Sequence, residues 1–371
     1  MLKFCKIAML ITTKYFEIDK LKLECGETLS PITLAFETYG ELNSQKNNAI
    51  LLFHALTGDA HAAGKHNSSD TKTGWYDKFI GPNKALDTNK YFIICSNILG
   101  GCAGSTGPSS INKLTNKPYG LNFPFITIKD MIKGQYKLVE SFGIEKLHAC
   151  IGGSLGAMQA LEWMITYPES SNSCIIMASA PYQSPQNIAL HEVGRRAIMN
   201  DINWNKGNYY DSIEKPNNGL SIARMIAHIS YLSDQSMHLK FGRKIQGKEE
   251  LNFELHNEFE VESYLNYQGK AFIKRFDANS YLYITRAVDY FDYSGDKLQK
   301  ALNKNSCKYL IISFSSDWLY PEYQSIQIVN ALQSLNLSVF YNRIESVYGH
   351  DAFLLEDEKL TPVLQGFLEH I

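Results

Sequence analysis

The sequence has no run long enough to cross a membrane, no C-x-x-C pair, no internal repeat, no low-complexity tract and almost no net charge. Each absence narrows the possibilities. A membrane helix needs about 20 consecutive apolar residues. The apolar run near the start, Ile7 to Ile11, is much shorter, and no small-x-small cleavage site follows it. A nucleic-acid partner calls for a basic stripe. Here 36 basic side chains face 38 acidic ones, a net charge of −2, which points to neither nucleic acid nor an anionic membrane surface. The seven cysteines (Cys5, Cys25, Cys95, Cys102, Cys150, Cys174, Cys307) are odd in number and irregularly spaced. Several sit in apolar runs, where cysteine acts as a small hydrophobe in a reducing compartment. Neither a disulfide framework nor a zinc site is expected, and the expected location is the cytoplasm.

What the sequence does contain is a series of short apolar runs: Ala49 to Phe53, Tyr91 to Cys95, Leu147 to Ile151, Cys174 to Ala178, Tyr309 to Phe314 and Val339 to Tyr341. Such runs, bounded by Gly, Asn or Ser, are the pattern of strands covered on both faces. A helix is predicted to start at Thr127, with Asp130 at capping-box spacing and Gly143 as terminator. Strand, helix and strand in alternation imply an α/β chain with a doubly wound, mostly parallel sheet. From about Gln186 to Tyr293 the strand pattern stops and helix formers dominate, as in Ile222 to His228 and Tyr281 to Phe291. The expected organisation is a core of residues 1–185 and 294–371, with 186–293 inserted as a helical lid.

Gly152-Gly153-Ser154-Leu155-Gly156 matches G-x-S-x-G. Alone this is a weak signal, since short glycine- and serine-rich patterns recur by chance. Its context is stronger. A strand-like run precedes it, and Leu155 to Tyr167 reads as a helix closed by Pro168. That strand, sharp turn and helix form the nucleophile elbow of the α/β-hydrolase fold, which lifts the serine hydroxyl to the carboxyl end of the sheet. A serine needs a base, and this fold requires the chain order serine, acid, histidine. Six histidines follow Ser154: His191, His228, His238, His256, His350 and His370. Four fall in the expected lid and His370 is next to the last residue, which leaves His350, in the loop after the last strand. Asp317 directly follows the strand before it. For the oxyanion the backbone N–H of Leu155 is one expected donor, and that of Leu56, after the first buried strand, the other. His54, His61 and His66 lie in one stretch, but their spacing matches no compact metal site and no cysteine or paired carboxylate joins them, so no metal is expected.

With these residues placed, the chain resembles the homoserine O-acyltransferases of methionine biosynthesis, from about Leu34 onward. The resemblance runs through His54-Ala55-Leu56-Thr57-Gly58-Asp59-Ala60-His61, Leu99 to Pro108, Gly152 to Gln159, Ala223 to His228, Phe276 to Leu282, Ser316 to Leu319 and Gly349 to Leu354. It implies an α/β-hydrolase core with a helical lid, a homodimer formed through the lids, acetyl-CoA as donor substrate and L-homoserine as acceptor, with no bound cofactor. By position it implies that Arg224 takes the homoserine carboxylate and Asp351 its amino group, with Tyr231 and Thr57 as further contacts. An α-amino acid presents one anion and one cation, for which a guanidinium and a carboxylate are natural partners. The chain departs from the family in having Leu155 where Met is common, and in Ala103-Gly104-Ser105-Thr106-Gly107-Pro108. A succinyl donor, a serine acceptor, and an esterase or thioesterase with the same three residues therefore stay open.

Overall fold

The structure is a computed structural model and describes residues 9–247, 250, 251, 253, 255, 258–302 and 306–371. Cys5, His256 and the start of the Ile7 to Ile11 run lie outside these. Eight strands form the central sheet: β1 (Lys14–Ile18), β2 (Ile32–Tyr39), β3 (Ala49–Phe53), β4 (Phe92–Ser96), β5 (Ala149–Gly153), β6 (Ser173–Met177), β7 (Lys308–Phe314) and β8 (Val339–Ile344). Their spatial order is β1-β2-β4-β3-β5-β6-β7-β8. The pairs from β4 to β8 are parallel, and β1 and β2 join antiparallel at one edge. This is the mostly parallel, doubly wound sheet that the apolar runs predict.

Every residue of β3, β4, β5 and β6 is buried, because helices cover both faces. The edge strand β8 is only partly covered. Helix α1 (Ile128–Ser141) starts as its sequence predicts. The Thr127 hydroxyl accepts the Asp130 N–H, and the Asp130 carboxylate accepts the Thr127 N–H at 3.1 Å. Gly143, at φ +68°, turns the chain out of the helix. Helix α2 (Leu155–Thr166) packs against β5 and α1 and is buried over almost its whole length, Trp163 included.

Between β6 and β7 the chain is helical: α3 (Pro185–Met199), α4 (Asn217–Tyr231), α5 (Asp234–Phe241), α6 (Glu260–Phe272) and α7 (Ala278–Asp289). Helix α4 packs against both α3 and α6. Helices α8 (Lys297–Leu302), α9 (Glu322–Ser334) and α10 (Asp357–Leu368) return to the sheet. Among the described residues no helix is long and apolar enough to cross a membrane. Cys95, Cys150 and Cys174 are buried and unbridged, as their apolar neighbours lead one to expect, and Cys307 is buried as well.

The Thr127 cap carries more than one bond, since its hydroxyl also donates to Glu24 Oε2 at 2.6 Å. Thr127→Ala is expected to lower unfolding free energy by about 1 kcal/mol, the usual cost of losing such a cap. A shift of the urea midpoint at unchanged slope is the measurement, and an unshifted midpoint would mean that the cap contributes nothing.

Candidate active site

Ser154 occupies the turn between β5 and α2 at φ +58°, ψ −126°, a conformation that costs a non-glycine residue about 1–3 kcal/mol. Its surroundings hold it there. The Ser154 N–H donates to Met177 O at 3.0 Å, and the Ser179 hydroxyl donates to Ser154 O at 3.1 Å. The flanking glycines are required by close approach: a Cβ on Gly152 would lie 2.0 Å from Gly156 O, and one on Gly156 would lie 2.2 Å from Phe53 O.

The loops after β7 and β8 converge on this turn. His350 Nε2 is 2.8 Å from Ser154 Oγ, and His350 Nδ1 is 2.8 Å from Asp317 Oδ2. A carboxylate can only accept, so Nδ1 carries the hydrogen and Nε2 presents a lone pair to the serine hydroxyl. The other Asp317 oxygen accepts the backbone N–H groups of Leu319 and Tyr320, at 3.0 and 2.9 Å. All three side chains are buried, Ser154 being 8% exposed, and the rings of Tyr320, Phe353 and Tyr231 surround the imidazole.

Leu155 is the first residue of α2, so its N–H has no helical acceptor. Leu56 lies in a turn closed by the bond from Gly58 N to Ala55 O at 2.9 Å. His54 shapes this turn. Its Nε2 accepts the Ile98 N–H, which leaves Nδ1 to donate to Ala55 O at 2.8 Å. Burial pushes its pKa down and keeps it neutral. Gln159 of α2 donates to His54 O at 3.1 Å and so joins the Leu56 turn to the serine helix. Leu56 also lines a small cavity with Tyr231 and Tyr320.

Arg224, on α4, reaches Thr57 Oγ1 through Nη1 at 3.2 Å. Its guanidinium lies 4.8 Å from the Phe272 ring centre and 5.7 Å from that of Tyr231, while Nε is buried without a partner. Asp351 follows His350. Burial pushes its pKa up, and the charges of His350 and Arg224 oppose that rise. Contacts thus link Ser154, His350 and Asp317 in one line and Arg224 to Thr57 and Tyr231, while the Tyr231 ring, 5.9 Å from that of His350, stands between the two groups.

The structure also adds Arg275, which the sequence reading missed although it borders the Phe276 to Leu282 block. Its Nη1 donates to Thr57 O at 2.8 Å, and its guanidinium lies 5.2 Å from Phe272. His228, one turn beyond Arg224, bonds Tyr264, and burial, then the Arg224 charge, push its pKa down to about 3. His191 pairs with Asp289 at 2.7 Å and has no contact with the Ser154 line among those described. One sequence inference is corrected: a carboxylate does join two of the early histidines. Glu37 of β2 bonds both His61 and His66, although 24 and 29 residues separate them in the chain.

Comparison with known proteins places this geometry. The family described as alpha/beta hydrolase fold matches residues 48–357. The chain is 58% identical over 362 residues to the homoserine O-acetyltransferase of Methanohalobium evestigatum, covering 97% of this chain and 74% of that protein. The crystal structure of homoserine O-acetyltransferase from Bacillus anthracis superposes with a TM-score of 0.90 at 30% identity, covering 97% and 98% of the two chains. That of esterase E22 superposes with a TM-score of 0.89 at 31% identity, covering 97% and 100%.

The bonded line from Asp317 through His350 to Ser154 predicts that a fluorophosphonate probe labels Ser154, and that His350→Ala slows labelling by orders of magnitude. Peptide mapping of the labelled protein is the measurement. Label on another serine, or undiminished labelling of the His350 variant, would contradict it.

Proposed function

Because the chain belongs to the homoserine O-acetyltransferases of the α/β-hydrolase fold, we propose that it moves an acetyl group from acetyl-CoA to the hydroxyl of L-homoserine through an acyl-Ser154 intermediate, in methionine biosynthesis in the cytoplasm. The observation that carries this reading is Arg224: a cation separated from His350 by the Tyr231 ring, oriented by Thr57 and two aromatic rings, with a buried Nε that lacks an acceptor. An amino-acid carboxylate supplies that acceptor, and a guanidinium binds it with directional, charge-assisted bonds. Asp351 then meets the ammonium group and keeps its negative charge through that contact.

In the first half-reaction His350 Nε2 takes the Ser154 proton as Oγ attacks the thioester carbonyl. Asp317 holds the imidazole and stabilises its charged form. The N–H groups of Leu155 and Leu56 receive the oxyanion. The C–S bond breaks, His350 returns the proton to the leaving thiolate, and CoA departs. In the second half-reaction His350 deprotonates the homoserine hydroxyl, which attacks the acyl-serine ester, and Ser154 regains its proton. Burial of Ser154 and His350 favours this acceptor over water.

A cavity of about 330 Å³ lined by Cys102, Lys215, Lys274, Arg275 and Phe276 supports a phosphate-bearing donor. It shares Cys102, Arg275 and Phe276 with a smaller cavity that reaches Leu56. Exposed apolar side chains on the helical segment, Ile222 and Ile229 of α4 and Tyr267 of α6, support a homodimer joined through these helices.

The likeness to esterase E22 favours one second reading, a hydrolase with water as acceptor. Free CoA followed from acetyl-CoA, with and without homoserine, separates the two. Acceptor-dependent release is expected, and equal release without acceptor would mean hydrolysis. Succinyl-CoA and L-serine in the same assay decide the acyl group and the acceptor.

Three single variants and one double variant test the roles. Arg224→Ala is expected to leave single-turnover acyl-enzyme formation intact. It is expected to raise the homoserine requirement about 30-fold or more, the usual cost of about 2–5 kcal/mol for a lost charge-assisted contact. Loss of acyl-enzyme formation with unchanged homoserine dependence would move Arg224 to the donor side. His350→Ala and Asp317→Ala should each cost several orders of magnitude in turnover, and the double variant little more, because such losses are not additive.

A further inference from the structure

We propose that Glu37, His61 and His66 form a binding site for one divalent transition-metal cation of the zinc class, set apart from the Ser154 line, and that the bound cation braces the loop carrying Leu56. The site does not depend on the acyl-transfer reading.

Three donors converge. Glu37 Oε2 lies 2.9 Å from His61 Nδ1, and Oε1 lies 2.7 Å from His66 Nε2. The imidazole centres are 4.0 Å apart, and one ligand atom from each of the three residues lies within 4.8 Å of the others. In tetrahedral zinc sites the donors stand about 2.0–2.2 Å from the ion, which puts them about 3.3 Å from one another. The two glutamate–histidine contacts therefore need to open by a few tenths of an ångström, while the wider of the ligand-atom separations, which extend up to 4.8 Å, must draw in. Two imidazole nitrogens and one carboxylate oxygen suit zinc, cobalt, nickel or iron, whereas magnesium and calcium favour oxygen donors.

The electrostatics also fit a cation. Glu37 is 1% exposed, and its side-chain partners are His61, His66, Thr13 and Tyr39. It is a buried carboxylate flanked by two imidazoles, and among the described residues no lysine or arginine forms an ion pair with it. A divalent ion supplies positive charge directly, and each facing nitrogen gives up its hydrogen to solvent or to the other ring nitrogen. Outer support is already in place. Tyr39 Oη donates to Glu37 Oε2 at 2.8 Å while accepting the Ala62 N–H at 2.7 Å, and Thr13 Oγ1 donates to Oε1 at 2.8 Å. His66 is 43% exposed in its side chain, which gives the ion a way in.

The same contacts explain the bracing. Glu37 belongs to β2, Thr13 to the segment before β1, and both histidines to the chain beyond the Leu56 turn. The His61 N–H also bonds Asp59 Oδ1 at 3.0 Å, two residues from Thr57. An ion held at this point links three separate segments and limits the motion of the Leu56 loop.

The full-length protein is stripped with chelator and dialysed, then titrated with Zn²⁺ by calorimetry and with Co²⁺ by visible absorption. Saturable binding of one equivalent is expected, with a Co²⁺ spectrum of nitrogen and oxygen ligation and a higher melting temperature in Zn²⁺. His66→Gln removes a half-exposed ligand without emptying the core, and is expected to weaken binding at least about 10-fold and abolish the thermal shift. Glu37→Gln should do the same, and if it fails to fold, His66→Gln decides alone. No saturable binding in the micromolar range, or binding unchanged in His66→Gln, would leave a hydrogen-bonded network only and overturn the proposal.

Discussion

The site depends on one imidazole held between a buried carboxylate and a strained serine. His350 can present a lone pair to Ser154 only while Asp317 accepts the hydrogen on its other nitrogen, and Asp317 stays in place because two backbone N–H groups occupy its second oxygen. The three residues span 196 positions of sequence between Ser154 and His350 alone. Only the parallel sheet brings them together, since β5, β7 and β8 end on the same side and deliver their loops to one place. The strain at Ser154 is tolerated because the strand, the helix and Met177 fix the backbone on every side.

The helical segment is tied to these loops by contacts that a simple cover would not need. Trp318, next to Asp317, donates its indole N–H to Leu232 O at 2.9 Å, and the Ser233 hydroxyl bonds Val347 O. Gly349, next to His350, packs so tightly that a Cβ there would lie 2.5 Å from Ser233 N. Leu232 and Ser233 directly follow α4, the helix that carries Arg224 and Tyr231. Movement of this helix would therefore disturb Asp317 and His350 along with the arginine. Arg224 and His350 are thus held in register by one short piece of backbone.

On the opposite side, the Leu56 turn is braced by His54, which is neutral and internally bonded, and the loop beyond it by His61 and His66 through Glu37. Three histidines close together in sequence thus have two different jobs. Burial decides between them: His54 has its ring nitrogens satisfied by backbone, whereas His61 and His66 share an anion.

Much was legible before any fold was seen. Runs such as Ala49–Phe53, and Tyr309–Phe314 but for Ser313, are apolar because both faces of a parallel strand are covered, and Thr127, Asp130 and Gly143 mark the limits of α1 through local backbone chemistry. Gly152, Gly153 and Gly156 announce the elbow because no side chain fits there. Such features depend on neighbours a few residues away, so the sequence by itself determined them. The antiparallel pair β1 and β2 did not read as strands, since Lys14, Glu17 and Thr33 break the apolar pattern and find partners only across the sheet. Arg275 looked like any surface arginine until Thr57, 218 positions away, accepted its hydrogen bond. Glu37 read as a polar residue of no special note, and only the packing of β2 under the His61 and His66 loop made it a buried anion between two imidazoles. These were decided by tertiary structure alone, because a charge's role is set by what surrounds it in space and by how much water it loses.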